Sequence, residues 1–102
     1  MTQYIEQTAG NLDGIIINRG DSWKTTVTFD FNISAYTKSA YIKFGSNTIV
    51  LTITDVDNYN ITLSLSASDS ALITTTDNEL ILRMTYLTES RQYIKCLFKV
   101  NQ

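Results

Sequence analysis

The sequence predicts an all-β fold, an antiparallel β-sandwich of about seven short strands. Three observations predict it. Apolar and polar residues alternate with a period of two in segment after segment, the mark of a strand with one face in a core. The composition leans toward Ile, Thr, Val, Tyr and Phe, which suit a pleated, half-buried surface. Turn residues punctuate the chain every ~8–12 positions, the rhythm of a sandwich. At 102 residues the chain reads as one domain spanning 1–102. Its mass allows roughly 65% of the unfolded surface to be buried, enough for a real core.

The first strand is the run Ile15-Ile16-Ile17, between Asp13-Gly14 and Asn18-Arg19-Gly20. As a continuous apolar run it is expected to be more fully buried than the rest. From Ser22 to Phe31 the alternation is strict, with Trp23, Thr25, Val27, Phe29 and Phe31 on one face. Ala40, Ile42 and Phe44 form the next apolar face, followed by Gly45-Ser46-Asn47 as a turn. Ile49, Leu51 and Ile53 predict a fourth strand, closed by Asp55-Val56-Asp57-Asn58. Tyr59, Ile61, Leu63 and Leu65 predict a fifth, and Leu80, Leu82, Met84 and Tyr86 a sixth. The last sets Ile94, Cys96, Phe98 and Val100 against outward Tyr93, Lys95, Leu97 and Lys99.

One segment lacks alternation. Ser66 followed by Asp69 three residues on resembles a helix N-terminal cap, and predicts a short helical turn near 66–72 that crosses between the sheets. Leu72 and Ile73 would plug one end of the core. Such a crossing makes the expected sandwich Ig-like. The residues expected to hold the core are Trp23, Val27, Phe29, Ile42, Phe44, Leu51, Leu63, Leu65, Leu72, Leu82 and Phe98.

Composition closes several functional classes. With no His, the chain has no Ser-His-Asp triad and no ordinary zinc site. Its one Cys forms no internal disulfide. A net charge of −2 argues against nucleic-acid binding. No stretch approaches the ~20 apolar residues of a membrane span, and no secretory signal is visible. No cofactor or metal is expected. Glu79 with Glu89, or Asp30 with Asp55, could be imagined as a hydrolytic carboxylate pair, but nothing in their spacing brings them together. The fragment Arg19-Gly20-Asp21 spells an integrin-binding tripeptide; a turn with Gly at a positive φ, leading into the Trp23 strand, explains it better. Asp55-Val56-Asp57-Asn58 offers oxygen ligands for Ca²⁺ but lacks an EF-hand's length and distal Glu, and reads as a hairpin turn.

The order of motifs adds a resemblance. Arg19-Gly20-Asp21-Ser22-Trp23 leads into a strand. The link Ile33-Ser34-Ala35-Tyr36-Thr37 follows, then the stretch from Ile61 through Leu65-Ser66 to Leu72, then Leu80-Ile81-Leu82, and finally Leu97-Phe98-Lys99-Val100. Over nearly its whole length the chain resembles small tailed-phage virion structural proteins with an Ig-like sandwich, similar to the N-terminal domain of siphophage baseplate upper proteins. It departs from them at Ile73, where they often carry Pro, and in the final strand, where they often carry Gly and this chain has Cys96 or Leu97.

The resemblance implies a non-enzymatic virion part, made in the host cytoplasm. Its expected role is an assembly module of the capsid surface, as decoration or head fibre, or of the tail and baseplate. The expected partners are other virion proteins and copies of itself, with neither nucleic acid nor membrane. Residues 1–8 would form an intersubunit arm through Tyr4 and Ile5, and Tyr36, Tyr41 and Tyr93 would lie at interfaces. The alternative is a carbohydrate-binding or adhesin-like domain in which Tyr36, Tyr41 or Tyr93 stacks on a glycan.

Overall fold

A computed structural model describes residues 15–102. The arm expected at 1–8, with Tyr4 and Ile5, lies outside the described residues. The described elements are β1 (Ile15–Asn18), β2 (Trp23–Thr28), β3 (Thr37–Phe44), β4 (Asn47–Val50), β5 (Thr52–Asp55), β6 (Asn60–Leu65), the short helix α1 (Ala67–Ser70), β7 (Asp77–Tyr86) and β8 (Glu89–Asn101). They form two sheets, of order β1-β8-β7-β3-β4 and β2-β6-β5. The set β2, β6, β5 against β3, β7, β8 is the partition of strands B, E, D against C, F, G in an Ig-like sandwich. The expected fold class is therefore the observed one.

There are eight described strands rather than seven because the predicted Ile49–Ile53 strand is two. Leu51 is buried and its N–H still donates to Ala40 O at 2.8 Å. Before it, β4 pairs with β3; after it, β5 pairs with β6. The chain thus switches sheets at Leu51 and closes one side of the sandwich. The β1–β2 connection does the same on the other side. There β1 pairs with β8 in parallel, the one departure from antiparallel pairing among the described strands.

The core follows the alternation. Val27, Phe29, Ile42, Phe44, Leu51, Leu63, Leu65, Leu82 and Phe98 are all buried, and Trp23 is half-buried with its indole edge-on to Phe98 at 5.1 Å. The Cys96 thiol is buried in the same core. Two expectations are corrected. Leu72 is 60% exposed, and Ile73 alone fills the end of the core, because α1 is a single turn and consecutive residues leave it in different directions. Ile16 is 58% exposed: β1 is an edge strand that packs only Ile15 and Ile17 against the core, so its apolar run alternates like the others.

The two segments most distinctive of the resemblance touch each other. Asn18–Asp21 is a β-turn closed by Asp21 N–H to Asn18 O at 2.9 Å, with Gly20 at φ +93°. A positive φ at that third position requires glycine for backbone reasons. The turn leans on α1. Gly20 N–H donates to Ser70 Oγ at 2.9 Å, and Arg19 Nε donates to Ala71 O at 2.7 Å. Ser70 is fully buried, and its hydroxyl in turn donates to Ala67 O at 3.1 Å. The Arg19-Gly20-Asp21 tripeptide lies in a turn with Gly at positive φ, as the turn reading expected, and Arg19 and Gly20 also fasten that turn to the crossing helix. Ser66 caps α1 by accepting from Asp69 N–H at 3.1 Å, as predicted.

Candidate functional site: an aromatic end with an exposed hairpin tip

At one end of the sandwich the aromatic residues gather. Phe31 lies 5.5 Å from Phe29, 5.7 Å from Tyr36 and 6.1 Å from Tyr93 between ring centroids, and Tyr36 lies 5.2 Å from Tyr86. Phe31 meets Phe29 and Tyr36 edge-on, an arrangement that adds stabilisation beyond the area buried, and the other two pairs are tilted. Tyr36, Tyr86, Glu89, Arg91 and Tyr93 line a shallow cleft of about 180 Å³ there. Glu89 and Arg91, both exposed, form an ion pair at 3.8 Å on its rim.

Tyr93 reaches this cluster by a route that alternation alone does not show. It was expected to point away from the core. Instead it is 9% exposed and packs into it. The β7–β8 register explains the correction. Leu82 pairs with Ile94 but Arg83 pairs with Gln92, leaving Tyr93 as the extra residue of a β-bulge. A bulge reverses the parity of its strand, so Tyr93 and Ile94 both face inward. Burial, reinforced by the neighbouring Tyr36, holds the Tyr93 phenol above its usual pKa.

Beyond the cluster the β7–β8 hairpin turns through two residues, Leu87 and Thr88, since Tyr86 pairs with Glu89. Leu87 is 83% exposed and has φ +57°, the one non-glycine residue with positive φ among the described residues. The β3–β4 hairpin turns the same way through Gly45 and Ser46, with Phe44 pairing with Asn47 and Gly45 at φ +58°. In each loop only the first residue has positive φ, the pattern of a type II′ turn, which takes glycine there by preference. One turn uses glycine. The other carries a bulky apolar side chain in the conformation least suited to it and holds it in solvent. Tyr86, 45% exposed, stands beside it.

The structure thus brings Tyr36 and Tyr93 together and joins Phe31 and Tyr86 to them, with Leu87 exposed at the next position of the hairpin. Tyr41 lies elsewhere, half-buried on the outer face of β3 between Val50 and Ile81. The three tyrosines therefore form no common platform. Leu87 went unnoticed in the sequence because no Gly, Asn or Asp marks its turn. The signal was the short gap between the alternation ending at Tyr86 and the long final strand.

The other candidates resolve as local structure. Glu79 pairs with Lys95 at 3.6 Å, while Glu89 sits at the far end of the same ladder. Asp55 pairs with the nearly buried Lys38 at 3.2 Å, an ion pair joining β5 to β3 across the sandwich. Asp57 accepts from Tyr59 N–H at 2.8 Å and from the Asn60 amide, bonds that hold its carboxyl below the usual range and shape the hairpin turn. No group of three or more potential metal ligands occurs among the described residues. No helix among them is long and apolar enough to cross a membrane. No protein-family model matches the chain, and no curated protein does so, which leaves the site to be read from its own geometry.

Proposed function

We propose that the chain is a non-enzymatic assembly module of a tailed-phage particle, docking on a neighbouring virion protein or a second copy through its aromatic end. The observation that carries the docking role is Leu87. An exposed apolar side chain held at positive φ is a backbone cost with no return inside the domain, and such outliers concentrate at functional sites. Its setting has the anatomy of an interface: aromatic side chains Tyr86, Tyr36 and Tyr93 at the centre and a charged rim of Glu89 and Arg91. The phage context rests on the motif order, and the contact of Arg19 and Gly20 with Ser70 and Ala71 gives that order a structural reason.

The test is mass spectrometry of purified particles produced with the wild-type chain and with Leu87→Gly. This substitution suits the turn, so the fold survives it. Incorporation at a fixed copy number for the wild type and its loss for the variant is the expected result. Absence of the chain from particles would overturn the virion role, and undiminished incorporation of Leu87→Gly would overturn the docking role of the tip.

A further inference from the structure

The outer faces of the two sheets differ in kind. On the β2-β6-β5 sheet the outward residues are Thr, Ser and Asn with the single charge Lys24, and none is apolar. On the five-stranded sheet each strand contributes an apolar residue to one continuous diagonal stripe. Val50 of β4 pairs with Tyr41 of β3, and Tyr41 with Ile81 of β7. Ile81 pairs with Lys95, and Leu97, two residues further along β8, is its diagonal neighbour. Ile16 of β1 pairs with Lys99 and stands diagonal to Leu97 in turn. Diagonal neighbours lie about 7–8 Å apart, within reach of long side chains. Val50 is 74% and Leu97 44% exposed in the single chain, Ile16 is exposed, and Tyr41 is half-buried. An apolar stripe running from one edge of a sheet to the other is a surface that suits a partner.

Charge of one prevailing sign flanks the stripe. Lys43, Arg83, Lys95 and Lys99 face outward beside it against Asp77 and Glu79, a net +2 in a chain whose total is −2. Of these cations, Lys95 alone forms an ion pair among the described residues, with Glu79 at 3.6 Å. Bringing two such faces together would set like charges against each other, which disfavours covering the stripe with a second copy's stripe. The complement lies in residues 1–14. They hold Glu6 and Asp13, no Lys or Arg, and the apolar Tyr4, Ile5 and Leu12. The segment joins the fold at Ile15, one residue from the stripe's end at Ile16. The stripe crosses four strand spacings, about 19 Å. The segment, fully extended, reaches about 46 Å, enough to leave one molecule and cross the face of another.

We propose that residues 1–14 of a second copy lie across this stripe, so that copies associate by exchanging their N-terminal segments. Tyr4 and Ile5 bring apolar surface to Val50, Tyr41 and Leu97, and Glu6 answers the surplus of lysine and arginine around them. The seat is the outer face of the five-stranded sheet, apart from the hairpin tip, so the contact does not depend on the docking role of Leu87. It gives the arm expected at residues 1–8 a receptor on its neighbour.

Size-exclusion chromatography with light scattering, on the full chain and its variants, tests this. At about 100 μM the wild type should run above the mass of one chain. Tyr4→Ser together with Ile5→Ser should return it to a single chain. Val50→Glu together with Leu97→Glu should do the same from the receiving side, and both positions are exposed, so the fold survives the change. Mixing these two double variants should restore a species of more than one chain, since the first keeps the face and the second keeps the segment. Glu6→Lys should weaken association about tenfold, the loss of one charge-assisted contact. Leu87→Gly should leave the mass unchanged. A wild type that stays a single chain would overturn the exchange. Association that survives either double change, a mixture that fails to complement, or loss of association in Leu87→Gly would overturn it as well.

Discussion

The two type II′ hairpins allow one reciprocal experiment. Leu87→Gly relieves a left-handed backbone penalty of about 1–2 kcal/mol. Against that stand the extra freedom of glycine in the unfolded chain, about 0.5–1 kcal/mol, and a small loss of burial. With Leu87 83% exposed, that last loss is only ~0.3–0.5 kcal/mol. The balance is a stabilisation of about 0.5 kcal/mol. Gly45→Leu runs the other way. A Cβ built at Gly45 meets nothing within 4 Å, so its cost is the backbone term alone, a destabilisation of about 0.5–1 kcal/mol. The assay is urea unfolding followed by Trp23 fluorescence. The two variants should move the midpoint in opposite directions at an unchanged slope. A destabilisation above about 1 kcal/mol for Leu87→Gly would refute the reasoning. It would mean that the leucine supports the fold itself rather than serving an external partner.

Other expectations follow from the same structure. Ser70→Ala removes a buried hydroxyl that bonds both Gly20 N–H and Ala67 O. Two lost hydrogen bonds should cost about 2 kcal/mol in urea unfolding. Coupling to Arg19→Ala in a double-mutant cycle should reach at least ~0.5 kcal/mol. Asn78 is buried, accepts from the Thr75 hydroxyl, and donates to Thr75 O at 3.0 Å, Thr76 O at 3.3 Å and Phe98 O at 3.2 Å. Asn78→Leu should therefore cost ~3 kcal/mol, since it strands those carbonyls. Tyr93 sets a pH dependence. Its pKa in the folded state lies above the unfolded value of 10.0, so the unfolded chain ionises first. Its contribution is fully present below that value and is lost as pH rises through the folded pKa. Thermal midpoints recorded across alkaline pH should fall less steeply for Tyr93→Phe than for the wild type.

Much of the fold is legible because burial in a sandwich imposes a period of two that survives without any knowledge of partners. Val27, Ile42, Leu63, Leu82 and Phe98 all follow that rule, and the Ser66–Asp69 cap is legible from its own three-residue spacing where the alternation stops. The rule fails where backbone pairing breaks the period. Tyr93 changes face because β8 carries one more residue than β7 between two rungs, a register that belongs to both strands together. Ile16 is exposed because β1 has a neighbour on only one side. Ile73, not Leu72, closes the core because consecutive residues leave the single turn of α1 in different directions. Of the candidate site, Tyr36 and Tyr93 were legible as aromatics and Leu87 was not, since its turn carries none of the residues that usually announce one.

By itself, then, the sequence determined the class of fold, the inward faces of most strands and chemistry that residue types exclude: with no His there is no histidine ligand or base, and one Cys makes no internal disulfide. These are properties of residue types and local spacing, and local physics decides them. Tertiary structure decided which residues meet. The bulge at Tyr93, the sheet switch at Leu51, the clamp of Arg19 and Gly20 on α1 and the meeting of Tyr36 with Tyr86 all depend on how distant segments pair. Register is a relation between segments far apart in the chain, and no single segment carries it.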